Sequence, residues 1–133
     1  MTASTTGQLL DTTVLIDLLR GNADAATFAD AVFESGLPLF VSAISAMGLI
    51  AGCRSQAEVR QAKKLIATFV VVPLSPSECA KAYTLVVAYS KSHGLSIPDA
   101  LIAATAITQE LQLATDNDRH FQVIPGLSVK RPY

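Results

Sequence analysis

Short apolar runs alternate along this chain with segments of helical length, and that rhythm points to an α/β fold on a mostly parallel sheet. The runs are Leu9-Leu10, Leu37 to Val41, Phe69 to Val72, Leu113 to Thr115 and Leu127 to Lys130. Helices are expected over Thr12 to Arg20, Ala23 to Glu34, Ala43 to Ala51, Gln56 to Thr68, Pro76 to Ser92 and Ile97 to Glu110, with a helical turn from Asp116 to Phe121. Two helix starts are explicit. Ser75-Pro76-Ser77-Glu78 has an N-cap serine, a proline at the first helical position and a glutamate placed to close a capping box, and Ser96-Ile97-Pro98-Asp99 opens in the same way. Gln56 to Thr68 is amphipathic, with Val59, Ala62, Leu65 and Ile66 on one face and Arg60, Lys63 and Lys64 turned away. Phe69 to Val72, all β-branched or aromatic, reads as a buried strand.

The length of 133 residues suits one domain, residues 1–133, with one hydrophobic core. Half of the residues are hydrophobic and 16% are charged, which excludes disorder. A mean hydropathy of +0.41 leaves apolar surface for a partner, such as a second copy. Tyr83, Val86, Val87 and Tyr89 read as core or dimer packing. A net charge of -1 excludes a generally basic nucleic-acid binder, but not an enzyme gripping RNA through a local patch. Cys53 and Cys79 stand in no metal-ligand spacing and read as reduced residues packed in helices. The first eight residues are polar and uncharged, unlike a signal peptide, and Leu37 to Ala51 is too short and too polar to span a bilayer. A soluble, cytoplasmic protein is expected.

Three aspartates occupy one kind of place. Asp11 follows Leu9-Leu10, Asp116 follows Leu113 to Thr115, and Asp99 lies in a first helical turn. In a parallel sheet these positions gather at the carboxyl edge, where ligand sites form. Carboxylates converging there repel each other unless a cation neutralises them, and hard Mg²⁺ or Mn²⁺ prefers such oxygens. Each residue also has a capping account, because aspartate suits the positive end of a helix. Asp11 is the hardest to explain that way. Its neighbours are Leu9, Leu10, Val14, Leu15 and Ile16, and a charge sunk among them needs a partner or a metal.

Leu10-Asp11-Thr12-Thr13-Val14-Leu15-Ile16-Asp17 resembles the opening motif of PIN domains, and Val41-Ser42-Ala43-Ile44-Ser45 their second strand and helix entry. The stretch from Ile97 to Ala106 is similar to their third-acid motif, and Leu113 to Phe121 to the fourth. Order, spacing and coverage resemble the VapC-type toxins. The resemblance implies a three-layer α/β/α sandwich and a Mg²⁺- or Mn²⁺-dependent endoribonuclease leaving a 5′-phosphate and a 3′-hydroxyl. It further implies a homodimer restrained by a cognate antitoxin. Asp11, Asp99 and Asp116 would hold the metal, with Thr12, Ser45, Asn117 and Asp118 in support. Asn117 aligns better than Asp116 with the fourth polar position and is placed to hold a water on the metal.

The chain departs from this pattern at Gly48, where the family carries a catalytic glutamate, and no other acid lies between Phe40 and Ser55. Three accounts stand: close helix packing, a naturally weakened enzyme, or a glutamate deliberately replaced to silence a toxic activity. Candidate RNA contacts are Arg20, Arg54, Arg119, Lys91 and His93, each with a solvated-surface reading beside it. Lys63 and Lys64 read as solubility, and His120 as either a general acid or a polar loop residue. The rival from another class is an impaired PIN-fold module that binds an antitoxin or RNA without cutting. Phospho-acceptor and dehalogenase-type readings fail, because Thr12 and Thr13 follow Asp11 where those folds need a second acid.

Overall fold

A computed structural model describes residues 7–133, and the expectation about a leader therefore falls largely outside the described residues. The strands are β1 (Gln8–Leu10), β2 (Leu39–Ser42), β3 (Val70–Val72), β4 (Gln112–Ala114) and β5 (Val129–Lys130). The helices are α1 (Thr12–Leu19), α2 (Ala23–Glu34), α3 (Ala43–Ala51), α4 (Gln56–Ile66), α5 (Pro76–His93), α6 (Ile97–Thr108) and α7 (Asp118–Phe121). The sheet runs β3-β2-β1-β4-β5 with every pairing parallel.

Alternation along the short strands divides the core. Leu9 and Leu113, neighbours across β1 and β4, pack on one face with Leu85 of α5 and Ile102 of α6. Leu10, Val41 and Ala114 pack on the other with Val14 and Leu15 of α1, Ala29 of α2 and Ala62 of α4. A strand buried on both faces reads as a continuous apolar run, as these do. Helices on both faces make the three-layer α/β/α sandwich.

The chain steps outward from β1 to β2 and β3, then returns to the other side of β1 for β4 and β5. The strand order therefore reverses at β1, and the crevice beyond its carboxyl end is where parallel sheets bind ligands. Asp11 is the first residue past β1, its N–H bonded to the Ala114 carbonyl at 2.9 Å.

Some expectations are corrected here and others hold. The segment from Phe69 is an edge strand rather than a buried one: Val70 and Val71 are 46% and 40% exposed, because nothing lies beyond β3 in the sheet. Ser75 does not cap a backbone N–H; its hydroxyl turns to the Glu78 carboxylate instead. Gly94 ends α5 with a φ of 67°, a left-handed conformation that glycine adopts without strain. Tyr83 and Val87 are exposed on α5, whereas Val86 and Tyr89 pack against the core. Cys53 follows α3 rather than lying in a helix, and Cys79 is exposed; both are free thiols. Among the described residues no helix is long and apolar enough to cross a membrane.

Candidate active site

Asp11 is the N-cap of α1, and its backbone is extended where the strand ends. Its Oδ1 accepts the Thr12 N–H at 2.8 Å. Its Oδ2 accepts the Thr115 hydroxyl at 2.7 Å and the Thr13 hydroxyl at 3.3 Å. The residue is 4% exposed. Burial pushes its carboxyl above the usual range, and the nearby charge of Asp99 adds to that, while the bonds from Thr115, Thr12 and Thr13 pull the other way without winning.

Asp99 reaches this edge from the first turn of α6, where Ser96 caps its N–H at 3.2 Å. It is half-buried, and its Oδ2 lies 2.9 Å from His120 Nε2 on α7. The capping and ligand accounts of the sequence are therefore not rivals. Asp11 caps α1 with one oxygen while the pair Asp11–Asp99 still shares a charge that no arginine or lysine neutralises among the described residues.

The wall beside Asp11 comes from α3. Ser45 is buried and accepts the Thr12 hydroxyl at 2.9 Å, and Gly48 follows one turn later. A Cβ at Gly48 would meet nothing closer than Thr12 Cγ2, at 4.0 Å, outside its own helix. The packing account of this glycine is thereby corrected, because the helix has room for a side chain directed toward Thr12.

The fourth motif is arranged differently from the expectation. Asp116 is half-buried; burial and the bond and charge of Asp17 push the Tyr133 phenol far above its ordinary value, and the charge of Asp116 adds to them. Asp118 pairs with Arg131 at 3.1 Å, and the same guanidinium grips the Asp116 carbonyl at 2.7 Å. Asn117 is exposed and donates its N–H to the Thr115 hydroxyl at 3.0 Å. Among the described residues no three acidic, histidine or cysteine side chains stand within reach of one ion, so Asp11 and Asp99 are brought together and Asp116 is not.

Sequence reasoning missed Thr115, fully buried and bonded to Asp11. A hydroxyl at the end of the apolar strand Leu113-Ala114 was the available signal. His120, read as a general acid or a polar loop residue within the turn from Asp116 to Phe121, lies in α7 and touches Asp99. Of the candidate RNA contacts, Arg20 and Arg54 share a pocket with Gly48. Lys91, His93 and Arg119 are exposed, with His93 bonded to Ser92.

Two acids therefore stand together at the switch point of the parallel sheet, where ligand sites form, and one of them, Asp99, is paired with His120. Residues 9–127 match the PIN domain family, to which this chain belongs. Ribonuclease VapC10 of Mycobacterium tuberculosis is 39% identical over 120 residues, covering 90% of this chain and 89% of the relative. Ribonuclease VapC19 of the same organism is 32% identical over 121 residues, covering 90% and 96%. Among solved structures, a toxin–antitoxin complex from Klebsiella pneumoniae superposes with a TM-score of 0.76 at 30% identity, covering 96% of this chain and 98% of that one. DNA-bound VapBC from Salmonella typhimurium shares the fold, with a TM-score of 0.78 at 22% identity over 95% and 98% of the two chains.

Proposed function

We propose that this chain is a Mg²⁺- or Mn²⁺-dependent endoribonuclease, the toxin of a toxin–antitoxin pair, acting in the cytoplasm as one domain over residues 1–133. The carrying observation is Asp11: a carboxylate 4% exposed, beside Asp99 and without a cationic partner among the described residues. The chemistry of the donor set fits a hard divalent cation, which takes carboxylate oxygens and relieves the repulsion between them. Asp11 and Asp99 would hold it, without Asp116, which the fold does not bring within reach of the same ion. When bound, such a cation polarises the scissile phosphodiester and makes a water nucleophilic at neutral pH.

The remaining work falls to the chain's own groups. Thr115, Thr12 and Thr13 fix the carboxylate plane of Asp11 through three donors. His120, with its proton on Nε2, donates to Asp99 Oδ2 and fixes that carboxylate in turn. Ser45 orients Thr12, and Asn117 and Asp118 shape the loop after Thr115. Hydrolysis adds water across a phosphodiester and leaves a 5′-phosphate and a 3′-hydroxyl.

Gly48 supports the reading that the activity is weak, because the space for a third carboxylate beside Thr12 is open. The same residue favours a second reading, an impaired interaction module that holds an antitoxin or RNA. The likeness to a toxin–antitoxin complex from Klebsiella pneumoniae supports an antitoxin partner. Tyr83 and Val87, one turn apart and exposed on α5, support a homodimer.

The test is cleavage of total RNA with Mn²⁺ or Mg²⁺ by this chain, by Gly48→Glu and by Asp11→Asn. Metal-dependent cutting by Gly48→Glu, weaker cutting by the present chain and none by Asp11→Asn is the expected pattern. If all three are silent and none binds metal, the interaction module replaces the nuclease. The codon at position 48 of the native gene decides whether the glycine is natural.

A further inference from the structure

A pocket of about 470 Å³ opens between α1, α3 and α4, lined by Ile16, Arg20, Gly48, Leu49, Arg54 and Glu58 among others. We infer that this pocket takes a phosphate of the RNA strand flanking the scissile bond, gripped by Arg20 and Arg54. The inference rests on the ribonuclease reading and deepens it by giving the strand a direction across the surface.

Four observations carry it. Neither guanidinium is ion-paired among the described residues, where the ion pairs are His120–Asp99 and Arg131–Asp118. Glu58, the acid of the pocket, is already engaged: its Oε1 accepts the Arg54 N–H at 2.9 Å, closing the start of α4. Two cations against one committed carboxylate leave the pocket positive. Its position is also apt, because a Cβ added at Gly48, which lines the pocket, would lie 4.0 Å from Thr12 Cγ2, and the Thr12 N–H is bonded to Asp11. A polynucleotide lying over Asp11 and Asp99 can therefore place a neighbouring phosphate here. Finally, the chain has a net charge of -1 and no general positive field, so a polyanion must be held by local cations. Arginine suits that role through paired N–H donors matched to phosphate oxygens.

The contrast with Lys63 and Lys64 supplies the control. Lys63 borders an apolar hollow with Met47, Ile50 and Ile66, and Lys64 is exposed on the same helix.

The experiment measures binding of a single-stranded RNA oligonucleotide to the Asp11→Asn chain, chosen so that any RNA held is not cut, across a range of KCl concentrations. Each phosphate contact on a single strand contributes about 0.7 to the slope of log affinity against log salt. Arg20→Ala and Arg54→Ala are expected to lower that slope by about 0.7 each and together by about 1.4. Arg20→Lys and Arg54→Lys keep the charge and the slope, and Lys64→Ala leaves it unchanged. An unchanged slope in both alanine variants overturns the pocket, and if those variants instead lose antitoxin binding, the pocket belongs to the protein partner. If the Asp11→Asn chain binds no RNA at any salt, the ribonuclease reading fails as well, an outcome distinct from loss of the pocket alone.

Discussion

Asp11 and Glu78 are both carboxylates out of contact with water, 4% and 1% exposed, and the molecule treats them in opposite ways. Glu78 sits near the start of α5, where the Ser75 hydroxyl binds Oε2 and the Gln109 amide binds Oε1 at 3.2 Å. Those donors, Ser75 first, hold its carboxyl below the usual range, and the opposing effect of burial does not outweigh them. Asp11 has three donors to Glu78's two, yet burial and the charge of Asp99 outweigh them. The difference teaches that a buried acid is not by itself a functional signal. Glu78 is satisfied by its own neighbours and clips α5 to α6. Asp11 is left with unrelieved charge, the condition in which binding a cation lowers the energy of the whole site.

Removing the charge of Asp11 gives the largest expected effect. Loss of residues that merely support metal ligands weakens metal binding by roughly 10–100-fold, so Asp11→Asn should weaken Mn²⁺ binding by more than about 100-fold. The same change should raise the melting temperature of the metal-free protein at neutral pH. The sign follows from the raised carboxyl. Ionising Asp11 costs stability as pH climbs from its ordinary value of 3.8 through the higher folded value, and asparagine removes that cost. Calorimetric titration with Mn²⁺ and thermal melts in a chelator read the two halves separately. A melting temperature that falls would make Asp11 a satisfied acid like Glu78, and the comparison would collapse.

Glu78→Ala reverses the sign on stability at smaller scale and spares metal binding. It strips partners from Ser75 and Gln109 and should cost about 1–3 kcal/mol at neutral pH, with Mn²⁺ affinity intact. Because the folded carboxyl is lowered, its charge-dependent contribution is present above its ordinary value of 4.5 and is lost as pH falls through the folded value. The gap between parent and Glu78→Ala should therefore narrow in acid, as denaturant melts at neutral and acid pH can measure. Weakened Mn²⁺ binding by this variant would mean that the α5–α6 clip also positions Asp99.

How much of this was legible in the sequence follows from the range of each interaction. Helix limits came through closely because caps and stops are local: α2 and α3 have the expected bounds, and Asn22, Ser42, Ser55 and Ser96 accept helix N–H bonds as N-cap residues do. Asp11 and Asp99 could be singled out because one sits after a strand and the other opens a helix. Exposure of β3 was illegible, since Val70 to Val72 reads the same at an edge as in the centre and only the strand order decides. The bonds of Thr115 to Asp11 and of His120 to Asp99 join residues 104 and 21 positions apart, beyond any local pattern. Glu78 shows the converse, for its capping-box position was recognised while its bond partner was not, because Gln109 lies 31 residues on.

Gly48 gives the smallest effect and the sharpest return to Asp11. A glycine inside a helix with no steric reason for it costs about 1 kcal/mol relative to alanine, so Gly48→Ala should stabilise the protein by up to that amount. Glutamate is also a good helix former and by propensity alone should recover most of the same gain. In metal-free protein, however, a carboxylate at this position adds its charge to the Asp11–Asp99 pair, so Gly48→Glu should gain less than Gly48→Ala. With saturating Mn²⁺ the order should invert, because the added acid then meets a cation instead of two like charges. Thermal melts of both variants with and without Mn²⁺ measure the inversion. If the order is the same in both conditions, the side chain at position 48 does not address the charge that Asp11 carries, and the open space beside Thr12 belongs to the neighbouring pocket alone.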